Sequence, residues 1–257
     1  MKKRLIGAIL LLSILIISRI ISPKVFALVM LGASIIAFYE FVNIKHKNNI
    51  FIVYLIGIIS LILIVLNNIF FHIKDIVTYI IPILSLMIML VLYNDKDRYN
   101  INDALSIMAI IFIIGISFNT IALTSNINIF KCIYIFVMAF ITDTYCYIGG
   151  MLIGRHKLTS ISPKKTIEGT IIGTIMGVII GTFYYVIFIN DMSLIAIIFV
   201  SLLLSILSQI GDLFFSSIKR YFDIKDYSNL IPGHGGILDR FDSVIFVALG
   251  LMLIINL

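Results

Sequence analysis

Asp212 stands near the end of a long apolar run and is followed by Ser216 and by Lys219 with Arg220. On a helix these positions are i, i+4 and i+7 or i+8, so one face presents a carboxylate, a hydroxyl and a cation. Further along, Asp239 and Asp242 are three residues apart and lead directly into another apolar run, which stacks two carboxylates on one face. Hard divalent cations such as Mg²⁺ take oxygen ligands, usually one or two carboxylates completed by water and substrate phosphate. Asp212 and Asp239 are therefore the first-choice metal ligands, with Asp242 and Asp226 next. Between them lie Pro232, Gly233, His234, Gly235 and Gly236. Glycines there permit positive φ and close backbone approach, and successive N–H groups in such a turn can form an anion-binding nest. His234, enclosed by glycines and flanked by charges of both signs, is expected to contact a phosphate or orient a ligand. No second His lies nearby at ligand spacing, which argues against metal ligation by imidazole.

Upstream, Asp143 sits well inside an apolar run, among Phe140, Ile141, Tyr145 and Tyr147. An ionisable group at that depth marks function by default, because desolvating it is costly. It is followed by Arg155, His156 and Lys157, then by Ser162, Pro163, Lys164, Lys165, Thr166 and Glu168. Lys164 and Lys165 have the form of a phosphate clamp, although a basic cytoplasmic loop accounts for them equally well. Glu40 stays ambiguous, whereas Asp75, Asp95, Asp97, Asp103, Asp191, His46, His72 and His156 read as solvated or interfacial. Several carboxylates and cations beside apolar helices suit a lipid phosphate meeting a nucleotide and Mg²⁺. Phosphoryl transfer asks mainly for positioning and charge neutralisation, so the absence of a Ser-His-Asp set is no objection.

These groups have to be held by membrane helices. Of 257 residues 61% are hydrophobic and 12% charged, against about 45–50% and about 25% in an ordinary soluble domain. That excludes a soluble enzyme. Apolar runs predict spans near 5–21, 25–43, 50–67, 76–93, 104–124, 129–151, 167–190, 193–214 and 243–257. At roughly 20 residues each, nine crossings leave about 75 residues for every loop. The fold class expected is all-α, a single integral membrane domain over 1–257, with no recognisable motif in 1–128 and a catalytic half in 129–257. The start reads as a retained first span, being long for a signal peptide and lacking a small-residue cleavage site. Assigning Lys and Arg to alternate sides splits the 19 into 15 and 4, which puts the N-terminus in the cytoplasm. The polar loops 152–166 and 215–242 then share the cytoplasmic side, and residues 216–242 hold eight of the 32 charges. Gly169, Gly173, Gly177 and Gly181 recur at i+4 along the seventh span, a stripe that lets another helix approach closely. Cys132 and Cys146 indicate neither a disulfide framework nor a thiolate metal site.

The segment Ser216 to Asp242 resembles the signature of the phosphatidate cytidylyltransferases, or CDP-diacylglycerol synthases. The matching residues are Ser216, Ile218, Lys219, Arg220, Lys225, Asp226, Ser228, Ile231, Pro232, His234, Gly235, Gly236, Ile237, Asp239, Arg240, Phe241 and Asp242, with every spacing kept. Gly211 with Asp212, Asp143 to Tyr145, and Ser162 to Gly169 are similar to further family segments. The resemblance implies attack by phosphatidic acid on the α-phosphorus of CTP, with Mg²⁺ between Asp212, Asp239 and the CTP phosphates, and K⁺ beside it. It also implies that Lys219, Arg220, Lys225 and Arg240 neutralise phosphate, that Ser216 and the His234 turn help place it, and that Asp226 and Asp242 belong to the catalytic set. Asp143, Lys164, Lys165, Glu168, Gly235 and Gly236 are expected to bind substrate. Cys146 stands where a small alanine is usual, and Ile172 replaces the first of a common glycine pair.

The partners expected are CTP, phosphatidic acid and the bilayer, with no nucleic acid and with a homodimer left open. The location expected is the inner (cytoplasmic) membrane. Two other functions draw on the same residues: a transporter or channel with a charged cytoplasmic gate, and a CTP-dependent lipid or polyprenol kinase. A transporter would favour ionisable groups near the midplane on several helices, whereas here they gather at one face.

Overall fold

The computed structural model describes residues 2–45, 51–92, 99–230 and 235–255. Among them are nine α-helices and no strand: α1 (Lys2–Ile21), α2 (Pro23–Lys45), α3 (Phe51–Leu66), α4 (Asp75–Leu92), α5 (Ile101–Ile127), α6 (Ile129–Ile153), α7 (Ile167–Phe188), α8 (Leu194–Tyr221) and α9 (Leu238–Ile255). A π-helical turn, Asn67–Phe71, extends α3. Seven of these helices, α2 to α8, are long and apolar enough to cross a membrane, and the chain is an all-α, multi-pass membrane protein. Two boundaries differ from the sequence expectation. α8 runs on to Tyr221 and α9 begins at Leu238, so the helices extend past the expected spans into the polar segment 215–242, and Ser216, Lys219, Asp239 and Asp242 sit on helical turns as their spacing implied. Helical hydrogen bonding continues past the point where hydropathy falls, because the backbone ladder does not require apolar side chains.

The chain divides into two compact units. One comprises Met1–Asn126 with Asp226–Asp239, the other Ile127–Lys225 with Arg240–Leu257. The segment 226–239 groups with the N-terminal helices.

In the first unit, Leu61, Ile64 and Val65 of α3 and Ile107, Ile111, Ile114 and Phe118 of α5 are buried, as are Phe38 and Phe41 of α2. The π turn displaces carbonyls from their helical partners, and in lipid these need replacements. Asn119 Nδ2 supplies them, donating to Ile64 O at 2.8 Å and Val65 O at 3.0 Å.

In the second unit α7 packs against both α6 and α8, and its glycines face inward. A Cβ on Gly173 would collide with Cys146 Sγ, and one on Gly177 would lie 2.6 Å from Thr142 Oγ1 and 2.7 Å from Ser205 Oγ. The backbones are thus close enough for polar side chains to bond across the interfaces. Thr142 and Ser205 share a 3.0 Å hydroxyl bond, Tyr134 and Ser201 one of 2.7 Å, and Gln209 Nε2 donates to Thr174 Oγ1 at 2.8 Å. The two unusual residues fit this seam: Ile172 packs on Gly149 and Cys146 on Gly173. On α9, Phe246 closes the unit against Phe214 and Phe215, at 5.3 and 6.2 Å between ring centroids. The loop before α8 is tied back by Asp191, which meets Lys131 Nζ at 2.5 Å and accepts a 2.6 Å bond from Tyr185 OH. Burial acts to raise the Asp191 carboxyl, but Lys131 and Tyr185 outweigh it and hold the group below its ordinary range.

Gly177→Leu is expected to destabilise the protein by about 1–3 kcal/mol through overpacking. Gly32→Ala, where a Cβ meets nothing within 4 Å, serves as the neutral comparison. Thermal stability in detergent, followed by size-exclusion chromatography, distinguishes the two.

Candidate active site

The glycine seam brings α6 and α8 to one place, and α9 packs beside them. A Cβ on Gly211 would lie only 2.7 Å from Asp242 O, so α8 and α9 approach closely where the charged residues begin. Asp143 Oδ2 accepts a 2.7 Å bond from Ser243 Oγ. Asp212 Oδ1 accepts from Ser216 Oγ at 3.2 Å, and its Oδ2 meets Lys165 Nζ at 2.5 Å. Asp242 lies within electrostatic reach of Asp212, Lys219 and Asp143. Three carboxylates, from α6, α8 and α9, are therefore gathered with two lysines in the second unit.

Beside them is a cavity of about 310 Å³, lined by Asp143, Lys164, Lys165, Gln209 and Asp212 and also by Tyr147 and Met151. Tyr147 is 71% exposed and Met151 66%, so the cavity's apolar flank lies on the outer surface of the helices. Such a surface faces lipid in a membrane protein.

The loop that delivers Lys164 and Lys165 is built by local hydrogen bonds. Leu158 N donates to Lys165 O and Ile167 N to His156 O, each at 2.9 Å, folding residues 156–167 back on themselves. Thr166 caps α7, its hydroxyl accepting from Gly169 N at 3.1 Å. Glu168 fastens the other end of the loop. It takes the His156 ring Nδ1 at 2.6 Å and the N–H groups of Arg155 and His156 at 3.1 and 3.3 Å. Expected as a substrate contact, Glu168 here holds the loop that carries the lysines. His156, expected to be merely interfacial, is its partner.

The first unit holds a second carboxylate arrangement. Asp239 Oδ2 accepts from Tyr227 N at 2.8 Å and Gly236 N at 3.0 Å. Glu40 accepts from Ser228 Oγ and Ile237 N through Oε1, at 2.6 and 3.0 Å, and from Leu238 N through Oε2 at 2.8 Å. The N–H groups of Gly236, Ile237 and Leu238 therefore point at the chain's own carboxylates. The expected phosphate nest at Gly235 and Gly236 is, at these N–H groups, filled from within. Gly235 has φ +82°, a conformation glycine adopts without strain. Arg220, Lys225, Asp226 and Arg240 are exposed, and Arg220 Nη1 donates to Ile224 O at 3.1 Å. His234 lies outside the described residues. Glu40, which the sequence left ambiguous, is the buried acceptor of this arrangement. It carries the same signal as Asp143, a lone carboxylate in an apolar span.

The donor set allows the magnesium implied by the sequence to be tested. Asp143, Asp212 and Asp242 offer only carboxylate oxygens, and the Lys165 pair balances one charge of the three. Among the described residues no group of three or more Asp, Glu, His or Cys is placed to hold a metal ion. A carboxylate such as Asp212 is the kind of oxygen donor that Mg²⁺ takes singly or in pairs, with water and phosphate completing the shell.

The fold and site define a class: a polytopic helical membrane protein with carboxylates and lysines gathered at a cavity that opens beside lipid-facing side chains. The sequence model of the cytidylyltransferase family matches residues 2–257, and the chain belongs to that family. A phosphatidate cytidylyltransferase of Staphylococcus saprophyticus is 32% identical over 226 residues, 86% of each chain. Proteins of the same name from Staphylococcus haemolyticus and Staphylococcus aureus are 39% identical over 154 and 155 residues, in each case 59% of both chains. Those two alignments cover less than two thirds of the relatives' length.

Glu168→Gln is expected to loosen the 154–166 loop and speed tryptic cleavage after Arg155 and Lys157, because it weakens the bonds that close the loop. Limited proteolysis of protein in detergent reads this out, with cleavage at the wild-type rate contradicting the role.

Proposed function

We propose that this protein transfers the cytidylyl group of CTP to phosphatidic acid, giving CDP-diacylglycerol and diphosphate. The observation that carries the reading is the cavity of the second unit, with Lys164, Lys165 and Asp212 in its lining together with the exposed Tyr147 and Met151. Charge for phosphates and an apolar flank for acyl chains occur at one place. The activity for which the staphylococcal relatives are named, transfer to phosphatidate, uses both.

In this reading a phosphate oxygen of phosphatidic acid attacks the α-phosphorus of CTP. The new P–O bond forms as the bond from the α-phosphorus to the bridging oxygen of diphosphate breaks, and diphosphate leaves with that electron pair. The nucleophile is already an anion, so no strong general base is required. Lys164 and Lys165 reduce the repulsion between the two substrates' phosphates, and Lys219, Arg220, Lys225 and Arg240 add positive charge around them. Asp212, with Asp143, Asp242 and Asp239, would hold Mg²⁺, accompanied by K⁺. Bound there, Mg²⁺ supplies neutralisation of the CTP phosphates. Ser216, bonded to Asp212, keeps that carboxylate in place, and the His234 turn contributes to phosphate placement. The enzyme is proposed to lie in the cytoplasmic membrane with this cavity on the cytoplasmic side, which the 15 to 4 division of basic residues supports. No nucleic acid enters the reading, and a homodimer is compatible with it.

Purified protein in detergent with Mg²⁺, K⁺, labelled CTP and phosphatidic acid is expected to yield CDP-diacylglycerol and diphosphate in equal amounts. Formation of CDP and a phosphorylated lipid would identify a kinase instead, and solute counterflow without a lipid product a transporter. Asp212→Asn is expected to lower kcat by about 100-fold or more, the scale for losing one preorganised charge contact. Asp75→Asn should remain near wild type, since its contact with Asn67 Nδ2 survives an amide oxygen.

A further inference from the structure

Glu40 lies on α2 at 3% exposure, with Ala37, Phe38, Phe41 and Val42 buried around it on the same helix. A carboxylate in such surroundings is costly unless its oxygens are hydrogen-bonded. Its donors Ser228, Ile237 and Leu238 come from the segment 228–238, nearly two hundred residues away in the chain. Two of them, Ile237 N and Leu238 N, are N–H groups at the start of α9, which have no partner within their own helix. A negative charge there also complements the helix dipole.

We propose that Glu40 is a positioning residue for the reaction, acting through the first turn of α9. The proposal rests on the cytidylyl-transfer reading, in which Asp239 belongs to the catalytic set. Leu238 N is fixed by Glu40, and Asp239 is the next residue, so the bond sets the rotation of the turn that aims the Asp239 carboxylate. Asp239 in turn grips Tyr227 N and Gly236 N. Two carboxylates, one from α2 and one from α9, thus pin residues 227–228 to residues 236–239. Gly235 and Gly236 are required by this clasp. A Cβ on Gly236 would run into the Glu40 carboxylate, and one on Gly235 would lie 2.7 Å from Asp239 Oδ2. An apolar side chain at position 40 could fill the same space, but it would leave the donors of Ser228, Ile237 and Leu238 without an acceptor. The role is therefore orientation and not bulk.

The test compares full-length Glu40→Gln and Glu40→Asp with Asn119→Ala, a variant that removes a purely structural contact in the same unit. Glu40→Gln keeps the volume but turns one acceptor oxygen into a donor facing the α9 N–H groups. Its kcat is expected to fall about 10-fold or more, the scale of a small misplacement of a reacting group, with KM for CTP and for phosphatidic acid within about threefold. Its unfolding midpoint is expected to fall as well, so kcat is compared per folded molecule, and Glu40→Asp should recover part of kcat. Asn119→Ala should lower the midpoint while keeping kcat per folded molecule. Wild-type turnover in Glu40→Gln, or a loss that only tracks the unfolded fraction, would overturn the proposal. If the wild type itself makes no CDP-diacylglycerol, the parent reading fails, and amide hydrogen exchange decides the Glu40 role alone. Faster exchange confined to residues 226–230 and 235–239 in Glu40→Gln supports the clasp, and unchanged exchange there refutes it.

Discussion

The second unit depends on how closely α7 approaches its neighbours. With hydrogen atoms in place of side chains at Gly173 and Gly177, the helix sits within contact of Thr142 and Cys146 on α6 and of Ser205 on α8. In lipid there is little hydrophobic drive between helices, so close packing and interhelical hydrogen bonds have to supply the association. The hydroxyl pairs and the Gln209 bond exist because the backbones are near. At its polar end the same seam leaves Asp143, Asp212 and Lys165 facing one cavity. A seam held apart by larger residues would open that cavity and separate Asp212 from its ammonium.

Several carboxylates of the described residues are met by an opposite charge or a donor. Asp212 has Lys165, Asp143 has Ser243, Glu168 has the His156 ring and two backbone N–H groups, and Asp191 has Lys131 and Tyr185. Glu40 and Asp239 take backbone N–H groups instead. The distinction matters for chemistry. A carboxylate paired with a lysine side chain shares a partner that phosphates also attract. One that accepts backbone N–H groups also fixes the chain around it.

Each predicted span overlaps a helix of the described residues, and seven of those helices are long and apolar enough to cross a bilayer, because apolar runs of that length have few other ways to satisfy their backbone. Asp143, Asp212 and Asp242 were legible as site candidates from their positions in or beside apolar runs, and the glycine stripe was legible as a packing face from its i+4 period. The roles of Glu168 and of the Gly235–Gly236 turn were not. Nothing local distinguishes a glutamate that binds a substrate from one that closes its own loop, or a glycine turn open to phosphate from one filled by a carboxylate of a distant helix.

What the sequence by itself determined was the class of the protein, an all-α membrane protein, and the set of residue types available for phosphate chemistry. Hydropathy, charge placement and motif spacing are written along the chain and need no partner to be read. Only the tertiary structure decided which carboxylate meets which donor. Glu40 reaches Leu238, and Lys165 on its loop reaches Asp212, because segments distant in sequence pack side by side, and hydrogen bonds a few ångströms long depend on that packing and not on separation in sequence.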